Sequence, residues 1–355
     1  MNRLVLIGNG FDLSHKLKTS YSDFVFWYLN ESLDSFFKNK TYQDELISLT
    51  LNSVNFNFSF PSFTNISELI QFYNQLNKQQ VVKFEFKSEY FKNIYNIASS
   101  NPKWVDFENS YFYHLKNLAN KTNFDLTQLS KFNNEFNYLK IKLEIYLTLT
   151  EEDTLIFNPN KFDAILTENF KKKDFSLLSN VKVTKPDSIY VLNFNYTSIF
   201  NSYLPSINKI VPTKINFIHG QLNNPENPII FGFGDEHNKE YKSFEEINNY
   251  ELFKHIKSFQ YLKTSNYQEL ISFINSNYFQ VYILGHSCGI SDRTMLKEIF
   301  EHEKCLSIKL FYYQRSKNIN DNDFTEKTYE ISRHFENKGL MRKKVISFDK
   351  SEPLI

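Results

Sequence analysis

The sequence predicts an α/β fold: a mostly parallel, doubly wound sheet with a large helical insertion after its first strand. Three observations predict it. Short apolar runs end in glycine near both ends of the chain, apolar residues recur at helical spacing from about residue 20 to about residue 185, and strand patterns alternate with helix patterns after Pro186. Such alternation is typical of parallel sheets. We therefore expect the sheet to be built from both ends of the chain.

The first element is the apolar run Leu4–Ile7, which leads directly into a glycine-containing turn. A run of this length ending in glycine predicts a buried strand followed by a tight turn. The backbone N–H groups of such a turn suit a phosphate or pyrophosphate. We therefore expect the turn to bind a nucleotide through Gly8, Asn9, Gly10, Phe11 and Asp12.

The next part of the chain is predicted to be mainly helical. Thr19 or Ser20 is suited to cap a helix that carries Phe24 on its apolar face. Further helices are predicted at Tyr42–Asn52, Ile66–Asn77, Phe86–Ser99, Trp104–Ala119 and Leu126–Thr150. We expect residues 1–19 and 186–355 to form the nucleotide-binding core and residues 20–185 to form a helical subdomain.

The last part of the chain supplies the remaining predicted strands, at Ser188–Asn193, Ile215–Ile218, Pro228–Phe231, Phe279–Leu284, Ile308–Tyr313 and Lys344–Phe348. Seven of the eight glycines lie at or just after an apolar run, where an open α/β sheet binds its ligand. Ordinary turns would explain them as well. The ligand-binding positions expected at these strand ends are Gly220, Gly232, Gly285, Ser287 and Asp292, the last also a helix N-cap.

Two polar residues at predicted strand ends are candidate catalytic groups. The imidazole of His219 can titrate near neutral pH and take a proton from water or from a sugar hydroxyl. Asn195 offers a neutral donor and acceptor that can position a ribose hydroxyl or a water molecule. A structural histidine and a helix cap before Tyr196–Tyr203 are the alternatives.

Two other enzyme classes leave partial signatures. The first turn is only a partial G-x-G-x-x-G, with Leu13 in the third glycine place and no ribose-binding acid about twenty residues on, which disfavours a dehydrogenase. Gly285–Gly289 matches the G-x-S-x-G elbow of a serine hydrolase, with Ser287 as nucleophile. The triad partners Asp321 and His334, however, lie in or beside a predicted helix.

Composition limits the remaining classes. A net charge of +1 gives no electrostatic argument for nucleic-acid binding. Two cysteines, Cys288 and Cys305, are too few for a disulfide framework, and no set of residues has metal-ligand spacing. No apolar stretch has the length of a membrane span, and no signal peptide is evident. We expect a cytoplasmic protein without a bound metal.

Several short motifs follow one another in a distinctive order: Leu4–Leu13 with Thr19–Phe24, then Trp104–Glu108, Asn193–Thr197, Ile218–Gly220 and Gly285–Asp292. In this order they resemble the AbiH family of bacterial abortive-infection proteins. The resemblance spans nearly the whole chain. It implies a role in defence against bacteriophages.

The same order is similar, more distantly, to sirtuin-like NAD-binding domains, which implies a Rossmann-like core. Gly8, Gly10 and Asp12 match the first turn of those domains, which holds the dinucleotide. Asn195 matches an asparagine, and His219 a histidine, that act on the nicotinamide ribose. NAD, as ligand or substrate, is therefore the nucleotide that the resemblance implies.

One further turn matches that pattern, and two features depart from it. Gly285 and Ser287 match a late turn that contacts the adenosine side, but Thr197 stands where many sirtuin-like domains have aspartate. The two cysteines are too few for the zinc module of protein deacetylases. The resemblance therefore implies NAD binding or NAD cleavage and not deacetylation.

The function expected on these grounds is an antiphage protein that binds NAD or a related nucleotide and hydrolyses its N-glycosidic bond. Asn195 would orient a ribose hydroxyl and the attacking water, and His219 would act as general base. Two alternatives stay open: a non-catalytic nucleotide-sensing module, and a serine hydrolase. The sequence also leaves open whether the helical part covers the site, senses a phage or host protein, or mediates homo-oligomerisation.

Overall fold

The chain folds into two compact units. A computed structural model describes residues 1–52, 61–98, 104–119, 124–152, 160–177, 182–234, 236 and 239–354. The first unit comprises Met1–Leu17, Leu147–Tyr241 and His255–Ile355, and the second comprises Lys18–Tyr146 and Lys242–Lys254. The domain boundaries expected from the sequence, at residues 19/20 and 185/186, stay a prediction.

The described residues contain strands and helices throughout. The strands are β1 (Asn2–Ile7), β2 (Thr41–Gln43), β3 (Ile47–Leu51), β4 (Val82–Phe86), β5 (Ile189–Asn193), β6 (Thr213–Phe217), β7 (Phe279–Leu284), β8 (Cys305–Tyr312) and β9 (Glu352–Pro353). The α-helices are α1 (Asn9–Ser14), α2 (Tyr21–Asn39), α3 (Ile66–Lys78), α4 (Glu89–Ala98), α5 (Trp104–Ala119), α6 (Leu126–Glu152), α7 (Asn160–Thr167), α8 (Leu204–Ile207), α9 (Lys239–Ile247), α10 (Lys257–Gln260), α11 (Asn266–Ser276), α12 (Arg293–Glu301), α13 (Phe324–Ser332) and α14 (Lys338–Lys344). None of the helices in these ranges combines the length and the apolar character that a membrane span requires.

The first unit is built on a six-stranded sheet in which every neighbouring pair is parallel, so the predicted α/β class with a mostly parallel sheet is confirmed. The strand order is β6-β5-β1-β7-β8-β9. The chain adds β5 and β6 on one side of β1, then crosses to add β7, β8 and β9 on the other. In open α/β sheets ligands bind at the carboxyl ends of the strands beside such a reversal.

Helices cover both faces of this sheet. Successive strand residues point to opposite sides, so the apolar residues of β1 lie on both faces and each face packs against helices. On one face, Leu4 and Leu6 of β1 pack in a buried cluster with residues of α11, α12 and α13. On the other face, Val5 and Ile7 pack with residues of α7 and α8. Every residue of β1 is buried, as expected for a central strand of a doubly covered sheet.

The second unit combines helices with a three-stranded antiparallel sheet of order β2-β3-β4. Ser20 caps α2 in a capping box with Asp23, which confirms the predicted helix start. The carboxylate of Asp44, at the turn between β2 and β3, accepts hydrogen bonds from the hydroxyl groups of Tyr28, Tyr42 and Tyr138. These bonds tie the turn to α2 and α6.

Three predicted elements are wrong. Tyr42–Asn52 forms β2 and β3 instead of a helix, because Ile47 and Leu49 alternate with more exposed residues at the period of a strand. Pro228–Phe231 forms no ladder, and Ile230 N–H bonds instead to the carbonyl of His219. The segment predicted as a last strand at Lys344–Phe348 contains the end of α14 and a single bridge, and the edge strand follows later as β9.

The turn after β1 lies against the turn after β7 with almost no space between their backbones. Gly10 N–H donates to the carbonyl of Gly285 at 2.9 Å. A β-carbon on Gly285 would lie 2.1 Å from the backbone nitrogen of Phe11, and Gly285 has φ of +71°. One on Gly8 would lie 2.5 Å from the α-carbon of His286. These glycines therefore let the two turns pack together.

We expect Gly285→Ala to destabilise the first unit by about 2–5 kcal/mol, from about 1–2 for the positive φ and about 1–3 for overpacking. Gly339→Ala is the matched control, because Gly339 lies in α14 and its nearest obstacle is a side-chain oxygen of Asn337 at 3.0 Å. Urea unfolding of both variants measures the effect. Equal stability of the two variants would contradict this account of the turns.

Candidate functional site

Buried polar side chains gather where β1, β5, β6 and β7 end. Ile7 of β1 pairs with Asn193 of β5 and with Leu284 of β7, and Asn193 pairs with Phe217 of β6. Just beyond these ends lie five buried polar residues: Asp12, Asn195, His219, His286 and Asp292. Four of them, all except His286, are among the sequence-predicted site residues.

Asp12 holds Asn195 in place. Its Oδ1 accepts a hydrogen bond from Asn195 Nδ2 at 2.8 Å, and its Oδ2 accepts one from the Thr197 hydroxyl at 2.7 Å. Asn195 Nδ2 also donates to the carbonyl of Gly8 at 3.1 Å, and Asn195 N–H donates to Asn193 Oδ1 at 3.0 Å. The Asn195 amide therefore has a fixed orientation, with its Nδ2 toward the first turn.

Burial raises the pKa of Asp12 to about 7, although the hydrogen bonds from Thr197 and Asn195 act in the opposite direction. Both of those donors are neutral, so no cation offsets the burial of the carboxylate. The threonine at position 197 suits the buried carboxylate of Asp12. An aspartate in its place would set one carboxylate against another, whereas the threonine hydroxyl donates to Asp12.

His219 shares the carboxylate of Asp292 with a lysine. His219 Nε2 lies 3.1 Å from Asp292 Oδ1 and 3.1 Å from the hydroxyl of Tyr261. Lys257 Nζ lies 2.8 Å from the same Asp292 oxygen and is buried. Burial lowers the pKa of His219, helped by the charge of Lys257 and opposed by Asp292. Burial would raise the pKa of Asp292, but Lys257 and then His219 outweigh it and hold that pKa well below its ordinary value.

His286 is held in a neutral form. The backbone N–H of Cys288 donates to His286 Nδ1 at 3.0 Å, so that nitrogen carries no proton and Nε2 does. His286 Nε2 lies 3.7 Å from Asp292 Oδ2, beyond hydrogen-bond distance. Burial lowers the pKa of His286 to about 3. His286 therefore adds a donor beside Asp292 but no charge at neutral pH.

The predicted ligand-binding glycines lie where backbone segments pack closely against each other. The N–H groups of Gly8, Gly10 and Phe11 donate to the carbonyls of Leu284, Gly285 and Gly8 respectively, so this conformation does not present them to a phosphate. At the other strand ends, β-carbons on Gly220 and Gly232 would meet the carbonyl oxygens of Pro228 and His255. The ligand contacts expected of Asn9 and of these glycines stay a prediction.

Comparison with known families decides the classification. A family model described as "Bacteriophage abortive infection AbiH" matches residues 4–314, which include every residue of the candidate site. The chain belongs to the AbiH family. Membership gives it a role in bacteriophage abortive infection. Searches of curated proteins and of solved structures found no match to the chain.

The AbiH chain does not form the triad that a serine hydrolase requires. In its described part, no hydrogen bond joins the Ser287 hydroxyl to a histidine or a carboxylate, and His334 Nε2 bonds to the carbonyl of Cys288 at 2.7 Å. Within Gly285–Gly289, the non-glycine residue with positive φ is Cys288, at +54°, whereas a nucleophile elbow has its strained backbone at the serine. Burial also raises the pKa of the Cys288 thiol to about 12, so Cys288 is no alternative nucleophile.

Sequence reasoning missed three members of the AbiH site: Lys257, Tyr261 and His286. His286 could have been found, because it follows a predicted strand inside the G-x-S-x-G match. Lys257 and Tyr261 carry no such signal, since they lie in a segment whose pattern is simply helical. Across the described ranges, no group of three or more histidine, cysteine or acidic side chains is arranged to hold a metal ion.

We expect the stability of the AbiH protein to depend on pH through Asp12. Its pKa rises from the ordinary 3.8 to about 7 on folding, so the bound proton stabilises the fold fully below pH 3.8. That stabilisation, up to about 4 kcal/mol, is lost as pH rises through 7. Urea unfolding of the wild type and Asp12→Asn between pH 4 and pH 8 measures it. A pH-independent difference between the two proteins would contradict the prediction.

We also expect Ser287 to stay unlabelled by a fluorophosphonate probe, because no base among the described residues forms a hydrogen bond with its hydroxyl. The measurement compares probe incorporation in the wild type with that in Ser287→Ala by mass spectrometry. Labelling of the wild type at Ser287 would restore the serine-hydrolase alternative.

Proposed function

We propose that this AbiH protein acts in the cytoplasm by hydrolysing the N-glycosidic bond of NAD, so that loss of the cofactor stops growth of the infected cell. One observation carries the proposal. Asn195 and His219 follow neighbouring strands at the sheet edge where doubly wound proteins bind nucleotides, and each side chain is held by a buried carboxylate. This arrangement suits a nucleophilic water between a positioning amide and a base.

In the proposed reaction, the bond between C1′ of the ribose and the nicotinamide nitrogen breaks, and its electron pair neutralises the pyridinium. Water adds to C1′, and His219 Nε2 takes the proton that the water loses. Because nicotinamide leaves as a neutral molecule, no general acid is needed. The products are nicotinamide, ADP-ribose and a proton. Asn195 orients a ribose hydroxyl and the water as positive charge develops on the ribose.

The burial of the site sets a condition on this reaction. Asn195 is 8% exposed and His219 is 5% exposed. The ring of His219 also lies parallel to that of Tyr261, with centroids 6.1 Å apart, and edge-on to that of Phe194. NAD therefore reaches these side chains only when the surrounding loops open.

The proposal is tested by NAD consumption. We expect purified wild-type protein to release nicotinamide and ADP-ribose, and His219→Ala and Asn195→Ala each to lose about 100-fold or more of the rate. His302→Ala is the matched histidine control, because His302 lies at the opposite end of β7, against Phe279. Liquid chromatography of the products measures the rates, and circular dichroism confirms that each variant is folded.

An inert purified protein would call for the same assay in cells under phage challenge, where a trigger is present. Cellular NAD that stays level while infection is aborted would overturn the enzymatic proposal. Equal activity of His219→Ala and the wild type would overturn the role of His219.

The second candidate function is nucleotide binding without turnover, coupled to a phage or host protein. The enclosed environment of His219 and Asn195 favours it, because a closed site can report a ligand by opening without performing chemistry. Isothermal titration calorimetry with NAD and with ADP-ribose discriminates the two functions. Tight binding of NAD that is recovered intact would favour the sensing module.

A further inference from the structure

Lys257 is a buried cation at the candidate site. It is the first residue of α10, its backbone N–H donates to the carbonyl of Phe233 at 2.9 Å, and its side chain is only 1% exposed. Removing an ammonium group from water is costly unless an anion and hydrogen bonds compensate. Asp292 supplies such an anion, because its Oδ1 lies 2.8 Å from Lys257 Nζ.

Three basic side chains face this one carboxylate. Besides Lys257, His219 Nε2 lies 3.1 Å from Asp292 Oδ1 and His286 Nε2 lies 3.7 Å from Asp292 Oδ2. The charges of Lys257 and Asp292, which lie 2.8 Å apart, offset each other. A proton added to His219 or His286 would therefore leave a net positive charge in a site closed to water, which is unfavourable.

We propose that Lys257 is a positioning residue that occupies Asp292 and thereby keeps His219 uncharged, so that the imidazole is ready to accept a proton. Among the residues that the structure describes, the charged and titratable groups that face His219 are Asp292, Lys257, Tyr261 and His286. The part of this proposal that concerns catalysis rests on the NAD hydrolysis proposed above. The competition of Lys257 and protonated His219 for the carboxylate of Asp292 does not depend on NAD hydrolysis.

His219 Nε2 has a hydrogen-bond partner in each protonation state. In the uncharged state, the Tyr261 hydroxyl donates to the lone pair of His219 Nε2 across 3.1 Å. After a proton is taken, Nε2–H donates to Asp292 Oδ1, which is also 3.1 Å away. Asp292 thus stabilises the imidazolium, and Lys257 opposes it throughout, so that His219 is uncharged until it takes a proton.

The proposal is tested by NMR titration of the His219 imidazole, assigned by comparison with His219→Gln. We expect Lys257→Gln, which keeps a hydrogen-bond donor but removes the charge, to raise the titration midpoint of His219 by about one pH unit or more. Lys257→Arg keeps the charge and should restore the wild-type midpoint. Lys309→Gln removes a second fully buried lysine, which pairs with Glu168 and Glu352, and should leave His219 unaffected.

An unchanged His219 midpoint in folded Lys257→Gln would overturn the proposal, as would an equal rise in Lys309→Gln. If Lys257→Gln does not fold, Asp292→Asn provides the test, because loss of the anion should lower the midpoint; a rise would overturn the proposal. The titration needs no turnover, so its result is independent of the NAD assay.

If the protein hydrolyses NAD, the acidic limb of its pH–rate profile should move to higher pH in Lys257→Gln. An unmoved limb would overturn the catalytic role proposed for Lys257.

Discussion

The contact between the backbones of Gly10 and Gly285 is the constraint on which the candidate site depends. It fixes the turn after the first strand against the turn after β7, in a space that admits no β-carbon. Asp12 follows directly on one side of this contact, and His286 and Asp292 follow on the other. The glycine pattern that suggests a phosphate-binding loop therefore has a second physical cause, the close packing of two strand ends.

The site contains two buried carboxylates whose pKa values are shifted in opposite directions. Asp12 receives hydrogen bonds only from neutral groups, and burial raises its pKa to about 7. Asp292 is paired with Lys257 and faces two histidines, which hold its pKa well below its ordinary value. Environments that separate the titration of two acids in this way are typical of sites that handle protons.

Much of the fold could be predicted from the sequence because its signals are local. The strands at Ile189–Asn193 and Phe279–Leu284 are mainly apolar runs, and α5 has the helical spacing and the bounds that the sequence predicts. The hairpin of β2 and β3 was missed because its strands are short and lie between helices. The strand predicted at Pro228–Phe231 is wrong, because neither the length nor the composition of an apolar run reveals whether a neighbouring strand is available for pairing.

The site could be predicted only in part, for a related reason. Asn195 and His219 follow apolar runs, so the parallel-sheet rule alone places them at the same end of the sheet. Lys257 is brought to Asp292 by the packing of the loop at Phe233 against the start of α10, a tertiary contact without any sequence pattern. Nor does the sequence show that Thr197 donates to Asp12, a bond between residues 185 positions apart.

The position of β1 at the centre of the sheet has a consequence for synthesis on the ribosome. Its neighbours begin at Ile189 and Phe279, so this fully buried apolar strand emerges long before either partner exists. At typical elongation rates of about 5–20 residues per second, the delay before β5 appears is roughly 10–40 s. During that time the strand must be shielded by transient contacts or chaperones. Its edges stay open to wrong partners until the second half of the chain arrives.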